Sequence, residues 1–223
     1  SDGETYHCAG SRGVGNRTIS CAHGLAHGTL DLDHMVIKSC NVGMATVALG
    51  LGAERVYRWA RRLGFGEKTG IELAGESRGL VSRPQEWSRV QLANIGFGQG
   101  IAVTPLQLLR AYCAVANGGW LVYPRVVKAV ADATGHMEPA ERPEPTRVLS
   151  PKTAEHMRSL LEGVIEEGTG KRARIPGRRV AGKTGTAQKP TPEQGFRSGK
   201  YVGSFVGFAP AQNPRLAVLV VID

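Results

Sequence analysis

No hydrophobic run in this sequence approaches the roughly 20 residues of a membrane-crossing helix. The most apolar stretch is "LAVLVVID", residues 216–223. No secretory signal pattern is visible, so the stretch reads as a soluble piece. Acidic residues are few, 19 against 28 Lys and Arg, which leaves a net charge of +9. That surplus admits nucleic acid or an anionic surface as a partner. Aromatic residues make up only 6%, and no aromatic-rich binding motif accompanies the basic groups. Those groups are scattered (Arg61 and Arg62, Lys171 to Arg174, Arg178 and Arg179), so a nucleic-acid face is not expected.

Cysteine is scarce too. Cys8, Cys21, Cys40 and Cys113 include no Cys-x-x-Cys pair, which excludes the usual redox motif and the usual zinc knuckles. Cys113 lies in an apolar helical pattern and is expected in the core. Cys8 and Cys21 admit either a disulfide or two free thiols. Together with His23 and His27 they form a set that fits no familiar zinc spacing, and Gly24 and Gly28 break any helix there. The expectation from sequence is therefore no metal and no cofactor.

What is present is enough for one ordinary domain, expected to span residues 1–223. Hydrophobic content of 41% and charged content of 21% are globular averages. The first thirty residues, rich in Gly and Ser, read as loops and short strands. A short helix runs from Asp31 or Asp33 to about Lys38, pauses at "SCN", and resumes through "VGMATVALGLG". "AERVYRWARRLGFG" reads as a further helix with Val56, Trp59, Ala60 and Leu63 on one face. Thr104 as N-cap, Pro105 in the first turn and Asn117-Gly118 at the end frame another. Its buried stripe is expected at Leu108, Leu109, Tyr112 and Val115/Ala116. The glycines at 96, 98 and 100 follow no strand, so a phosphate loop is not expected. Residues 133–147 read as an exposed loop or hairpin end, and Ser150-Pro151 opens a helix stopped by Gly168. Three strand-like runs close the chain, "RVAGKTGTAQ", "YVGSFVGFAP" and "RLAVLVVID". Helices followed by a C-terminal antiparallel meander imply an α+β fold.

The first of those strands holds the densest chemistry. Lys183 and Gly185 share one face, and Thr184 and Thr186 the other. Gly185 lets a neighbour approach the backbone, and such a strand suits an extended peptide whose carboxylate meets the lysine and hydroxyls. A solvent-facing edge strand explains the same residues. Ser39-Cys40-Asn41, in the break between two helices, is commonplace, occurring in about every second chain of this length. "KTGT" is rarer, on the order of a few per thousand chains. Together and in this order they match two of the three motifs of serine penicillin-recognising enzymes.

The sequence resembles the transpeptidase domain of class B penicillin-binding proteins, especially the cell-division and sporulation types. The likeness runs through "YHCAG", "ISC", "AHGTLDL" and "SCNVG", then "LGFGEKTGIELAGESRG" and "NIGFGQGIAVTPLQLLRAYCAVANGG", and ends in "GKTGTAQ" and "YVGSFVGFAP". It implies a partial penicillin-binding protein/serine β-lactamase-like fold and a serine-type D,D-transpeptidase that cross-links peptidoglycan through an acyl-enzyme. By resemblance, Ser39 relays a proton, Asn41 positions substrate, and Lys183 supplies positive potential. Thr184, Gly185 and Thr186 would form the substrate-binding strand. The family's first motif, Ser-x-x-Lys, is absent: no serine stands three residues before any of the eight lysines. The resemblance puts that motif upstream of residue 1 and a further helix after residue 223. The piece is thus expected to be inactive and not labelled by penicillin on its own, and poorly soluble through its last strand. The implied partners are stem peptides, β-lactams, glycan-polymerising enzymes and division-complex proteins. The implied place is the extracytoplasmic face of the bacterial cell membrane, with the membrane reached only through an N-terminal anchor outside this sequence. A β-lactamase, a penicillin sensor and a non-catalytic remnant that binds peptides are the alternatives.

Overall fold

Glycine and hydroxyl residues cut the start of the chain into four short strands, β1 (Thr5–Cys8), β2 (Ser11–Val14), β3 (Arg17–Ser20) and β4 (Gly28–Asp31). In the computed structural model, which describes residues 3–141, 143–189 and 199–223, β2 and β3 form a hairpin and β1 pairs antiparallel with β4. Asp31 then accepts a hydrogen bond from the His34 amide at 2.8 Å and so caps α1 (Leu32–Ile37).

The end of α1 is a two-bond turn. The Ser39 amide donates to the Val36 carbonyl at 3.2 Å and the Cys40 amide to the Met35 carbonyl at 2.9 Å. This arrangement puts the residue after the cap in the left-handed region, a place usually given to glycine. Here it is Ser39, with φ of 55°. Cys40 caps the next helix, α2 (Asn41–Leu51), which α3 (Ala53–Arg62) follows after Gly52. Gly43 lets α2 close on α1, since a Cβ there would stand 2.1 Å from Met35 Sδ.

Ser88 caps α4 (Arg89–Gly96), and Thr104 caps α5 (Pro105–Ala116) as expected, with Gln107 completing a capping box. Next come β5 (Trp120–Leu121), the exposed hairpin β6 (Ala129–Ala131) with β7 (Met137–Pro139), and β8 (Thr146–Arg147), which pairs with β5. Ser150 caps α6 (Pro151–Glu166). The last three elements are β9 (Ala181–Gln188), β10 (Tyr201–Ala209) and β11 (Leu216–Ile222), an antiparallel sheet with β10 in the middle. Helices ahead of a terminal meander give the α+β class expected from sequence.

The main core lies between α5, α6 and this sheet, through Ala114, Val115, Leu161, Ala181 and Phe208. The first forty residues have a smaller core of their own, in which Cys8, Cys21 and Cys40 sit beside Met35 and Val42. Leu216, Val218, Val220 and Ile222 on β11 are all exposed.

Two helix faces differ from expectation. Trp59 is 42% exposed, with the Arg62 guanidinium 5.1 Å from its ring, and Tyr57 packs edge-on against Trp87 instead. On α5 the buried residues are Gln107, Arg110, Ala111, Ala114, Val115 and Ala116, while Leu108, Leu109 and Tyr112 are half-buried. Gln107 donates to the carbonyls of Glu67 and Arg78 at 2.6 and 2.9 Å, and Arg110 to that of Val122 at 2.6 Å. These polar side chains are buried because they satisfy the backbone of the loops around α5. Cys113, expected in the core, is half-buried.

Candidate active site

Ser39 and Lys183 are separated by 144 positions and joined by one hydrogen bond, from Lys183 Nζ to Ser39 Oγ at 2.9 Å. Three packed elements make this contact. α1 rests on α6 through Ile37, Leu160 and Val164, and α6 packs on β9. The turn that ends α1 therefore faces the strand that carries Lys183. A second donation, to the Thr184 carbonyl at 3.1 Å, fixes the ammonium.

Lys183 is mostly buried, and among the described residues no carboxylate pairs with it. Burial pushes its pKa down from 10.5 to about 8. An ammonium near its pKa, bonded to a hydroxyl, can pass protons along that bond in either direction at neutral to mildly alkaline pH. It is also a concentrated positive charge in a poorly hydrated place.

Thr184 points away from Lys183, and its hydroxyl lies 2.8 Å from that of Thr169, in the loop after α6. One proton of the pair serves that bond, which leaves the other free to donate. Thr186 is exposed farther along β9. Gly185 sits opposite Ser204 on β10, where a Cβ would come within 2.5 Å of the serine Oγ. The close approach expected at Gly185 is thus made by the neighbouring strand. Among the described residues β9 has a partner on one edge only.

Asn41 opens α2, and its Nδ2 donates to the Ser20 carbonyl at 3.0 Å. The structure thus joins Ser39 directly to Lys183, while Asn41 turns to the Ser20 carbonyl and Thr186 lies exposed farther along β9. Thr169 is a residue the sequence reading missed. Its signal is the Gly-Thr-Gly triplet at 168–170, whose small flanks let the loop press against α1 and α6.

Comparison with known proteins gives this geometry a context. A profile of the penicillin binding protein transpeptidase domain matches residues 1–223. The chain is 36% identical over 228 residues to stage V sporulation protein D of Bacillus subtilis, covering 99% of this chain and 34% of that protein. It is 40% identical over 194 residues to penicillin-binding protein PbpB of Mycobacterium tuberculosis, covering 83% of this chain and 29% of that one. The chain therefore spans about a third of the length of these relatives. The crystal structure of penicillin binding protein 3 from Mycobacterium tuberculosis, complexed with aztreonam, superposes with a TM-score of 0.91 at 37% identity. That superposition covers 99% of this chain and 51% of the other.

Proposed function

The chain belongs to the penicillin-binding protein transpeptidase family, and from that premise we propose that the protein carrying it is a peptidoglycan D,D-transpeptidase. The observation that carries the reading is the Lys183–Ser39 hydrogen bond, which ties the third family motif to the second. The first motif, Ser-x-x-Lys, has no match in these 223 residues and would come from sequence outside them. Residues 1–223 are accordingly one partial transpeptidase domain.

In the proposed reaction the outside serine attacks the penultimate D-alanine carbonyl of a stem peptide. The terminal D-alanine leaves with a proton on its amine, and an amine from a second stem peptide then displaces the serine to form the cross-link. Ser39 relays the proton to the leaving amine, and Lys183 holds that relay in place through its charge. Asn41, on the first turn of α2, positions substrate and the outside lysine. The peptide lies along the open edge of β9 as an added strand. Its terminal carboxylate takes hydroxyl donors from Thr184 and Thr186, beside the positive field of Lys183. Gly185 makes room for Ser204 of β10 behind that edge, and the Thr186 amide forms half of the oxyanion hole.

β-Lactams would acylate the same serine; a related structure is a complex with aztreonam. Among the described residues no helix is long and apolar enough to cross a membrane. We place the whole protein at the extracytoplasmic face of the cell membrane, in keeping with its proposed action on peptidoglycan. Glycan-polymerising enzymes and division-complex proteins are the partners this role requires.

The test uses the whole protein and a fluorescent penicillin. Lys183→Ala and Ser39→Ala should each slow acylation by about 100-fold or more, the scale of a lost electrostatic or proton-relay group. Full-rate acylation of Lys183→Ala, or stoichiometric labelling at a residue within 1–223, overturns the assignment.

A further inference from the structure

Four side chains from separate places in the first forty residues meet at one point. Cys8 ends β1, Cys21 precedes a short 3-10 turn, His27 stands just before β4, and Cys40 caps α2. The Cys8 and Cys21 sulfurs are 3.6 Å apart, those of Cys21 and Cys40 3.8 Å, and Cys8 Sγ lies 3.6 Å from His27 Nδ1. One donor atom from each residue lies within 4.8 Å of all the others. The three cysteines are buried and the histidine is half-buried.

These separations have a chemical meaning. Tetrahedral zinc with Zn–S bonds of about 2.3 Å and a Zn–N bond of about 2.0 Å sets sulfur atoms about 3.8 Å apart and sulfur to nitrogen about 3.5 Å apart. A disulfide needs its sulfurs at about 2.05 Å and uses only two of the three thiols, leaving Cys40 and His27 without a role. Backbone donors also reach the sulfurs. Backbone amides of Gly10 and His27 point at Cys8, that of Val42 at Cys21, and that of Gly43 at Cys40, the last at 3.3 Å. Such N–H donors orient and tune the sulfur ligands of a metal.

We propose that Cys8, Cys21, His27 and Cys40 bind one zinc ion as a closed Cys3His structural site. Four protein ligands leave no open position for a substrate, so the ion acts on architecture. Cys40 lies between Ser39 and Asn41, and Asn41 holds Ser20, the neighbour of Cys21. The ion thus clamps the middle of the Ser-Cys-Asn segment directly and its Asn41 end through Ser20, and helps keep Ser39 in its left-handed conformation. This departs from the sequence reading in two ways. The histidine is His27 alone, because His23 is exposed in the turn, and the missing fourth ligand is Cys40. The spacing Cys-x12-Cys-x5-His-x12-Cys matches no finger or knuckle because the ligands sit on four segments joined only by the fold. The site does not depend on the reaction proposed above.

The experiment uses the whole protein, expressed with zinc and purified under reducing conditions without chelator. One zinc per chain is expected by elemental analysis, lost in Cys8→Ser, Cys21→Ser and His27→Ala and kept in Cys113→Ser and His23→Ala. Cobalt exchanged into the unmutated protein should give the visible spectrum of a tetrahedral thiolate site, a readout that needs no variant to fold. Chelation should lower the melting midpoint by roughly 10 °C. Failure to take up zinc or cobalt overturns the proposal. So does a Cys8–Cys21 disulfide found by mass spectrometry in protein isolated without reductant, which would make the cluster a redox pair.

Discussion

Ser39 occupies the left-handed position of a helix-ending turn, whereas Lys183 lies within an eight-residue strand with unbroken pairing on one side. At Ser39 the cost is backbone strain, on the order of 1–2 kcal/mol for a side chain where glycine is at home. At Lys183 the backbone is relaxed and the cost is desolvation of a cation. Both are imposed by neighbours, Met35 and Gly43 in the first case and α6 in the second. A polar contact can therefore join two residues that are each unfavourable in their own seat, provided the scaffold around each is stiff enough.

The contrast can be broken most sharply at the turn. Gly43→Ala drives a methyl group into the fully buried Met35 and should destabilise the protein by about 3 kcal/mol in urea unfolding. The matching change on the strand, Gly185→Ala, meets only the Ser204 hydroxyl, which can rotate away; a cost below about 1 kcal/mol is expected. Equal losses at the two glycines would remove the distinction.

Lys183→Met comes next, and pH reveals it. Below pH 8 the lysine is protonated both folded and unfolded, so it adds no pH dependence. Between about 8 and 10.5 the folded state has released the proton that the unfolded state retains, so wild-type stability should rise with pH, by at most about 3 kcal/mol. Thermal melts across that window should show the rise in wild type and not in the methionine variant. Ser39→Gly should be smaller and opposite in kind, stabilising by roughly 1 kcal/mol as the strain is relieved while penicillin acylation falls. Thr169→Val, which leaves Thr184 without its partner, should cost roughly 0.5–1 kcal/mol by the same melts.

Local chemistry made much of this legible in advance. The Thr104 cap, the Ser150 cap and the three closing strands are short-range patterns, and the structure has them where the sequence put them. The pairing of "KTGT" with "SCN" was legible only through resemblance, since no periodicity links residues 144 positions apart. Other features depended on tertiary partners. Arg110 is drawn inward by the Val122 carbonyl and the Tyr123 ring, and Trp59 is displaced outward because Tyr57 takes the place against Trp87. Serine at a glycine-type turn position leaves no mark in composition. Cys40 joined the sulfur cluster unseen, because spacing rules cover ligands on one or two adjacent elements.

The 144-residue span between Ser39 and Lys183 also sets an order of assembly. Closing that loop costs about 1 kcal/mol more chain entropy than closing the 32-residue span from Cys8 to Cys40. Contacts of such different sequence separation form on different timescales, so the cysteine corner can be finished while the lysine strand is still searching for its place. Run backwards, the same asymmetry lets a partial opening of the C-terminal sheet part Lys183 from Ser39 while the corner stays closed. The Lys183–Ser39 contact would then be lost before any probe of the first forty residues registers a change.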